Sequence, residues 1–398
     1  MANANNISFE DTSIAFSSKS DKELRKSYAL FAIMDKNAIV KLGTFFINAA
    51  LKLKLPVKNL IKNNLFVHFC GGESILDSEK TILELAKYHI GTILDYAVEG
   101  ENSEEAFDRT AAEIIRTIHR AADDPNIPFC VFKPTGMASI DVLEKVQSGK
   151  PLTGEETASF EKIRLRWDKV CGEAFIKDER IFIDSEDSFI QDPIDSIIYE
   201  LMDRYNKERA IVWNTYQMYR LGMLNNLREA IRLARENGYY LGAKLVRGAY
   251  MEKERERAEE KGYPDPIQPN KKATDEAYDA GLKLCIDNRD IVSVCNGSHN
   301  ERSNYFLTEL MAAADMENED ERVFFAQLYG MSDHISYNLA KAGYNVVKYV
   351  PYGPVASVIP YLLRRAEENT SISGQSSREF ILIKTELKRR KNTKEEIS

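Results

Sequence analysis

Paired cysteines, long uninterrupted apolar runs and a surplus of basic residues are all missing from this 398-residue sequence. Its 54 Lys and Arg residues face 62 Asp and Glu residues, giving a formal charge of −8. This balance argues against a nucleic-acid binder, which needs a basic face to displace counterions. Without a C-x-x-C pair, the cysteines indicate buried thiols in a reducing compartment, not a disulfide or zinc framework. They are Cys70, Cys130, Cys171, Cys285 and Cys295.

The N-terminal sequence has neither the apolar core of a signal peptide nor the arginine-rich pattern of a transit peptide. The most apolar early stretch, residues 28–55, is interrupted by lysines and an aspartate, so it is unsuited to cross a bilayer. From these features we expect a cytoplasmic protein with at most a peripheral contact on the inner face of a membrane.

Periodicity changes along the chain. Residues 1–20 are rich in Asn, Ser and Asp and are predicted to form a loose arm, and the apolar spacing of residues 21–60 predicts two or three helices. Thereafter short β-rich runs alternate with helical segments. The runs cover 65–72, 91–100, 128–136, 180–187, 210–217, 240–250, 291–299 and 323–330, with one further extended piece at 345–353.

Eight β–α units over about 300 residues are typical of a closed (β/α)8 barrel. An open doubly wound sheet would carry a Gly-rich turn after its first strand, but neither G-x-G-x-x-G nor G-x-x-x-x-G-K-[ST] occurs. The sequence therefore predicts an α/β fold of the barrel type. The helices predicted between the runs cover 103–122, 154–177, 193–205, 221–237, 273–287 and 300–316, followed by 355–369 and an amphipathic tail that fades into a disordered end.

Polar side chains follow nearly every predicted strand, where the βα loops of a barrel surround its mouth. Because buried polar groups need partners, this ring implies a bound polar ligand or an internal salt-bridge network. Taken singly, some members also fit a purely local role: Asp184 could cap a helix, and Glu73 could lie at a helix N-terminus. His299 has no second ligand at metal spacing, so no metal site is predicted. The ring comprises Glu73, Lys133, Asp184, Gln217, Arg247, Tyr250, His299, Asn300 and Tyr329.

Two adjacent arginines, Arg364 and Arg365, lie in a predicted helix one turn after Tyr361. Neighbouring positions point about 100° apart, so both guanidiniums can reach one side of the helix, where planar forks match a carboxylate bidentately. A surface helix with an ion pair between Arg364 and Glu368 accounts for the same spacing. The pattern leaves both interpretations open.

Several stretches together resemble the proline dehydrogenase family, and its monofunctional members more than the bacterial fusions with an aldehyde dehydrogenase. They are KLVRGAYMEKERERAEEKGYPDPI (244–267), SHNE (298–301), FAQLYGM (325–331), YVPYGP (349–354) and PYLLRRAEEN (360–369). The resemblance covers about residues 65–370. It implies a distorted, TIM-like barrel with FAD that oxidises L-proline to 1-pyrroline-5-carboxylate and passes electrons to a membrane quinone. We expect an N-terminal helical arm at 1–60, the FAD-binding barrel at 61–370, and a C-terminal helix and charged tail at 371–398.

The resemblance also implies residue roles around the substrate. Lys133 would meet the proline carboxylate, which Arg364 and Arg365 would clamp. Asp184 would hold the lysine ammonium in place, and Glu73 would pair with Arg364 in the open site.

The remaining substrate contacts are apolar. Tyr349 and Tyr361 would pack against the proline ring, and Leu328 would form a wall.

The expected catalytic residues are Lys133, Asp184, Tyr349, Arg364 and Arg365. No residue identifies itself as an obligatory base for the proton on the proline nitrogen.

A third set of residues would bind FAD. Two departures from the fused enzymes concern this set: Met251 replaces an aromatic residue, and Lys244 replaces an arginine. The ring and phosphates are expected at Asp184, Gln217, Lys244, Arg247, Gly248 and Ala249, the adenosine side at Gly297, Ser298, His299 and Asn300, and the ribose or adenine at Glu368.

Other functions remain open from the sequence. A hydroxyproline dehydrogenase is the nearest, although Tyr349 would crowd a ring hydroxyl; a Schiff-base lyase using Lys133 and a non-catalytic scaffold are more remote. Membrane contact is expected of the family because quinones dissolve in the bilayer. Residues 24–55 and the basic region 384–391 are candidates for it, although each also fits an ordinary packed or solvated helix.

Overall fold

A computed structural model describes residues 7–34, 44, 61–98, 102–371 and 375–397, with backbone only at 366–371, 375–377, 394 and 396–397. Eight parallel strands close a barrel in sequence order. The strands are β1 (Ile90–Tyr96), β2 (Phe129–Phe132), β3 (Arg180–Ile183), β4 (Val212–Gln217), β5 (Leu241–Val246), β6 (Val292–Gly297), β7 (Val323–Leu328) and β8 (Val346–Tyr352).

Helices surround the barrel. In chain order they are α1 (Thr12–Ala15), α2 (Asp21–Met34), α3 (Val67–Phe69), α4 (Glu79–Ala86), α5 (Glu104–Ala122), α6 (Ile140–Gln147), α7 (Gly154–Ile176), α8 (Gln191–Tyr205), α9 (Met223–Asn237), α10 (Met251–Lys261), α11 (Lys271–Asp287), α12 (Glu301–Ala313), α13 (Asp333–Lys341), α14 (Val355–Ser371) and α15 (Gln375–Ile397). Local capping sets several starts; the capping box of Thr153 and Glu156, for example, begins α7.

The predicted barrel is confirmed, but its first predicted strand is wrong. Residues 65–69 fall in a π-helical turn (Lys62–Phe66) and α3, and Gly72 makes only an isolated parallel bridge to Tyr352. The extended piece at 345–353 supplies β8, which closes the barrel against β1 from Ile90↔Val346 to Tyr96↔Tyr352. A short apolar run suits a buried helix as well as a buried strand. In consequence Lys133 follows the second strand, not the third, and His299 follows the sixth, not the seventh.

Packed side chains fill the barrel interior. Phe129 and Phe182 stack with ring centroids 4.2 Å apart, and Trp213 meets both rings edge-on. The strand sequences are almost continuously apolar because both faces of the sheet are buried. One face packs inside the barrel and the other packs against the surrounding helices. With the interior filled, open space is left at the carboxyl-terminal mouth, where β1–β8 end.

The N-terminal segment and the tail pack on each other. Phe16, Leu24 and Phe31 form a buried cluster with Leu382 and Ile383 of α15. The loose arm predicted for residues 1–20 is therefore wrong for the described residues 7–20, and the tail stays helical to Ile397 instead of becoming disordered. Both segments are ordered by the apolar surface that they bury against each other, because most helical stability in proteins comes from packing an apolar face on another element. The predicted helices of 21–60 are tested only by α2, since 35–43 and 45–60 lie outside the described residues.

Within the described part of the chain, no helix combines the length and apolarity required to cross a bilayer. All five cysteines are buried with free thiols. Burial raises the pKa of each thiol for which a shift is resolved, Cys285 among them, so these thiols stay protonated and unreactive.

Candidate active site

A cavity of about 680 Å³ opens at the carboxyl-terminal mouth of the barrel. Eight Lys or Arg residues line it against three Asp or Glu residues, so its electrostatic potential favours an anionic ligand. The residues predicted from the sequence that line it are Lys133, Asp184, Gln217, Lys244, Arg247, Gly248, Ala249, Tyr250, Gly297, Ser298, His299, Asn300, Leu328, Tyr349, Tyr361, Arg364 and Arg365.

Lys133, at the end of β2, is held by a carboxylate that the sequence interpretation missed. Its Nζ donates to both oxygens of Asp95, at 2.8 and 2.9 Å, while Asp184 is 3.7 Å away. Asp95 is 4% exposed near the end of β1. The signal was present, because a charged residue in the otherwise apolar stretch GTILDY needs a partner just as Lys133 does.

Asp184 is bonded mainly to Lys244. The Lys244 ammonium donates to Asp184 and, at 2.6 Å, to the phenol oxygen of Tyr349. Burial alone would raise the pKa of Asp184, but Lys244 and Lys133 outweigh it and lower the pKa. The two lysines therefore share an ionised carboxylate, which fixes the position of Tyr349 on β8.

The two arginines of α14 face the cavity. The Arg365 guanidinium lies 5.3 Å from the ring centroid of Tyr361, a cation–π distance, and the Arg364 charge acts on the phenol of Tyr250. Both arginines therefore line the cavity, whereas the alternative ion pair between Arg364 and Glu368 is not tested, because the Glu368 side chain lies outside the described residues. Tyr361 itself is 5% exposed and lines the cavity, and its hydroxyl oxygen has no hydrogen-bond partner among the described residues, as expected of a group that bonds to a ligand.

Arg247 is anchored at the other end of the cavity by the helices that follow β5 and β6. Its guanidinium donates to Asp275 at 2.8 Å, to Ser298 at 2.8 Å and to Ser303 at 3.0 Å. The guanidinium carbon lies 4.3 Å from the ring centroid of Tyr278. These contacts hold one guanidinium rigidly at the cavity wall.

His299 is neutral. Burial, followed by the charges of Lys348 and Arg365, lowers its pKa to about 3, and its Nδ1 lies 2.9 Å from the hydroxyl of Ser332. Asn300 caps α12 by accepting from the Ser303 amide. Among the described residues no group of acidic, histidine or cysteine side chains is arranged to bind a metal ion.

Three predicted positions fall outside this arrangement. Glu73 does not line the cavity; its described contacts are Lys62 and, at 3.4 Å, the amide of Val355 at the start of α14, so its pairing with Arg364 stays a prediction. The Glu368 side chain lies outside the described residues. Tyr329 follows the last residue of β7 and does not line the cavity, whereas Leu328 does.

Two other lining residues were given no role from the sequence, although Glu301 ends the SHNE stretch. Glu301 and Arg378 line the end near His299, joined by a hydrogen bond of 2.8 Å. Burial would raise the pKa of Glu301, but hydrogen bonds from His334 and Arg378 lower it to about 2. Arg378 comes from α15, and only the packing of that helix brings it to the barrel mouth.

Comparison with known proteins gives these residues a family. A proline dehydrogenase family model matches residues 78–378. The protein named proline dehydrogenase 1, mitochondrial, from Dictyostelium discoideum is 33% identical over 435 residues, covering 98% of this chain and 76% of its own. The chain belongs to the proline dehydrogenase family. The predictions of this family and of an enzyme of this type are confirmed.

Two further similar proteins define how far the likeness extends. The Caenorhabditis elegans protein is 43% identical over 244 residues, which are 60% of this chain and 40% of that protein. The crystal structure of proline utilization A from Bdellovibrio bacteriovorus aligns with a TM-score of 0.71 at 20% identity, covering 90% of this chain and 38% of that one. This chain thus spans less than half the length of either protein, and it shares the fold of the aligned part of the crystal structure.

The expected cytoplasmic location is wrong. The Dictyostelium and Caenorhabditis proline dehydrogenases are both named as mitochondrial proteins. The sequence interpretation depended on missing targeting patterns, and a missing pattern carries less weight than named relatives that match this closely.

Proposed function

We propose that this proline dehydrogenase family member oxidises L-proline to 1-pyrroline-5-carboxylate with FAD and passes the electrons to a quinone. The observation that supports it is a cationic cluster beside an aromatic pocket at one barrel mouth. Lys133, Arg364 and Arg365 supply the charge, and Tyr349 and Tyr361 the rings. A small cyclic amino acid offers one carboxylate and one apolar ring, and the cluster and pocket match these two features.

The pocket residues would fix the substrate by its carboxylate. Arg364 and Arg365 would bind it through paired hydrogen bonds, with Lys133 as a third charge. Leu328 and the two tyrosines would then exclude water from the ring, so that the reacting carbon is held in one orientation. The Schiff-base alternative is less well supported, because a Schiff base needs a neutral lysine amine. Two hydrogen bonds to Asp95 stabilise the charged form of Lys133 instead.

The rest of the cavity fits FAD. A volume of about 680 Å³ exceeds what proline needs, and Arg247, Lys271 and Arg302 line it as cations that can meet phosphates. Within the described part of the chain, the side-chain oxygen of Gln217 is buried without a hydrogen-bond partner, as expected of a group that accepts from a cofactor N–H. When bound, the flavin would supply the two-electron acceptor for the hydride.

The residue roles near the cofactor follow from these positions. Gln217, Lys244, Arg247 and Ala249 would line its ring and phosphates, and residues 297–300 its adenosine side. Lys244 and Arg247 add preorganised positive charge, which stabilises negative charge that develops nearby. Gly248 has a different reason for lacking a side chain: its φ is +133°, and a Cβ would lie 2.3 Å from the Tyr219 ring.

The experiment that tests this function is a flavin spectrum under anaerobic conditions. We expect a yellow protein whose absorbance bleaches with L-proline and returns with a soluble quinone analogue. Arg365→Met should bleach more than tenfold more slowly at low proline, since one charge-assisted contact contributes about 1.5–3 kcal/mol; Arg232→Met, on the exposed face of α9, serves as the control. A protein that stays colourless after reconstitution with FAD contradicts the proposal.

Three finer points belong to this proposal. Comparing the rates of flavin reduction by L-proline and by trans-4-hydroxyproline distinguishes the hydroxyproline alternative.

Lys384, Lys388 and Lys391 form an exposed basic face on α15, a candidate for peripheral membrane contact that vesicle sedimentation would test. The division into 1–60, 61–370 and 371–398 is tested by limited proteolysis.

A further inference from the structure

Glu186 is a buried carboxylate directly behind the cavity wall. It follows β3, is 5% exposed, and does not itself line the cavity. Its Oε1 accepts from the Thr135 hydroxyl at 2.8 Å, and its Oε2 accepts from the phenol of Tyr250 at 3.4 Å. Tyr250 lines the cavity. The phenol therefore stands between Glu186 and any ligand.

We infer that Glu186 accepts, through the phenol of Tyr250, the proton that the substrate's ring nitrogen loses before oxidation. This inference rests on the proposed oxidation of proline. One ammonium N–H bond of the substrate breaks as its proton passes to the Tyr250 oxygen, and the phenolic proton passes to Glu186 Oε2. The amine becomes neutral, the carboxylate becomes a carboxylic acid, and no electrons move in this step.

The position of Tyr250 supports this path. The Arg364 charge opposes the two effects that raise the Tyr250 pKa, the Glu186 carboxylate and burial, and both residues line the same cavity. If Arg364 binds the substrate carboxylate, the ring nitrogen is two bonds from that anchor. We therefore infer that the Tyr250 phenol meets the nitrogen at hydrogen-bond distance, as proton transfer requires.

The proton affinity of Glu186 also suits the task. Burial raises its pKa to about 7; Thr135 and Lys133 lower it, and Asp187 and Asp184 raise it further. A proton acceptor works best with a pKa near the working pH.

Other groups at the cavity are poorer acceptors. Lys244 and Lys133 keep the pKa of Asp184 low despite burial, and Glu301 and His299 have pKa values of about 2 and 3. Asp95 already accepts two hydrogen bonds from Lys133.

The test is the rate of flavin reduction by L-proline in the holoenzyme from pH 6 to pH 10. We expect an inflection near pH 7 in the wild-type rate. Glu186→Gln should lose it and fall by about 100-fold at pH 7, the lower end for a general base. Its rate should then rise roughly tenfold per pH unit, as the fraction of neutral amine in solution grows, and approach the wild-type rate at about pH 9.

A matched control is Glu254→Gln. Glu254 is also buried, at 1% exposure, and accepts hydrogen bonds from Ser188 away from the cavity, so its variant should keep the wild-type pH profile. Tyr250→Phe removes the relay hydroxyl and keeps the ring, so it should reproduce the Glu186→Gln profile.

The outcomes distinguish failure of the Glu186 inference from failure of the proposed proline oxidation. A wild-type rate without an inflection near pH 7, or a Glu186→Gln rate that is unchanged or lowered equally at every pH, overturns the inference while proline oxidation stands. If Glu186→Gln does not fold, the wild-type and Tyr250→Phe profiles decide. A flavin that L-proline reduces at no pH refutes the proposed function itself.

Discussion

The ion pair between Lys133 and Asp95 allows a quantitative prediction about stability. Asp95→Asn would leave the Lys133 ammonium without its principal partner. Breaking a buried pair costs about 3–5 kcal/mol. The Lys133 side chain is 22% exposed and retains Asp184 at 3.7 Å, so we expect the free energy of unfolding to fall by about 3 kcal/mol, the lower end of that range.

A double-mutant cycle isolates the pair. Lys133→Met alone should also destabilise, whereas Asp95→Asn with Lys133→Met should be more stable than the sum of the single changes predicts, by a coupling energy of about 2–3 kcal/mol. Urea titration followed by tryptophan fluorescence measures this. The chain has two tryptophans, Trp167 and Trp213, and both are fully buried, so unfolding exposes both to water.

An exposed pair provides the control for the cycle. Lys207 and Asp203 lie one helical turn apart at 2.7 Å, with about half of each side chain exposed, and their coupling should be at most about 0.5 kcal/mol. A coupling between Lys133 and Asp95 that is no larger than this would refute the argument from burial.

Two further predictions concern packing and pH. Gly248→Ala should disturb the cavity wall and reduce flavin content, because the added Cβ would meet the Tyr219 ring at 2.3 Å and φ is +133°. Asp333 is bonded to Lys348 at 3.0 Å and to Lys19 at 2.9 Å. Burial would raise its pKa, but the two ammoniums lower it. Its stabilising contribution is therefore present above the unfolded-state pKa of about 4 and is lost as the pH falls below it, so Asp333→Asn should flatten the acid side of the stability profile measured by urea titration.

Each of these two predictions has a matched control variant. Gly238→Ala changes another glycine with positive φ, +66°, that has nothing within 4 Å of an added Cβ, so it should leave flavin content unchanged. Asp203→Asn changes an exposed carboxylate and should not alter the acid profile. Equal flavin loss in both glycine variants, or equal acid profiles in both aspartate variants, would contradict the respective prediction.

The helices named from the sequence agree with the structure to within a few residues, as α5, α7 and α9 illustrate, because each carries an apolar stripe at helical spacing and clear end signals. The shorter helices α4, α6, α10 and α13 were not among them. The strand count was right for a different reason from the one expected. Residues 345–353, predicted as one further extended piece, supply the eighth strand in place of residues 65–72, since a short apolar run does not itself distinguish a strand from a helix.

By itself the sequence determined the eight-unit repeat, the residues at the strand ends and the neighbouring arginines of α14, because these depend on local periodicity and on residue type. Only the tertiary structure decided which charges neutralise one another: that Asp95 holds Lys133, that Lys244 takes Asp184, and that Glu186 lies behind Tyr250. Such pairs join side chains from different strands and loops, 38 and 60 residues apart in the first two cases. Their energies depend on burial and on distances of a few ångströms, which are set by closure of the barrel and cannot be read from spacing along the chain.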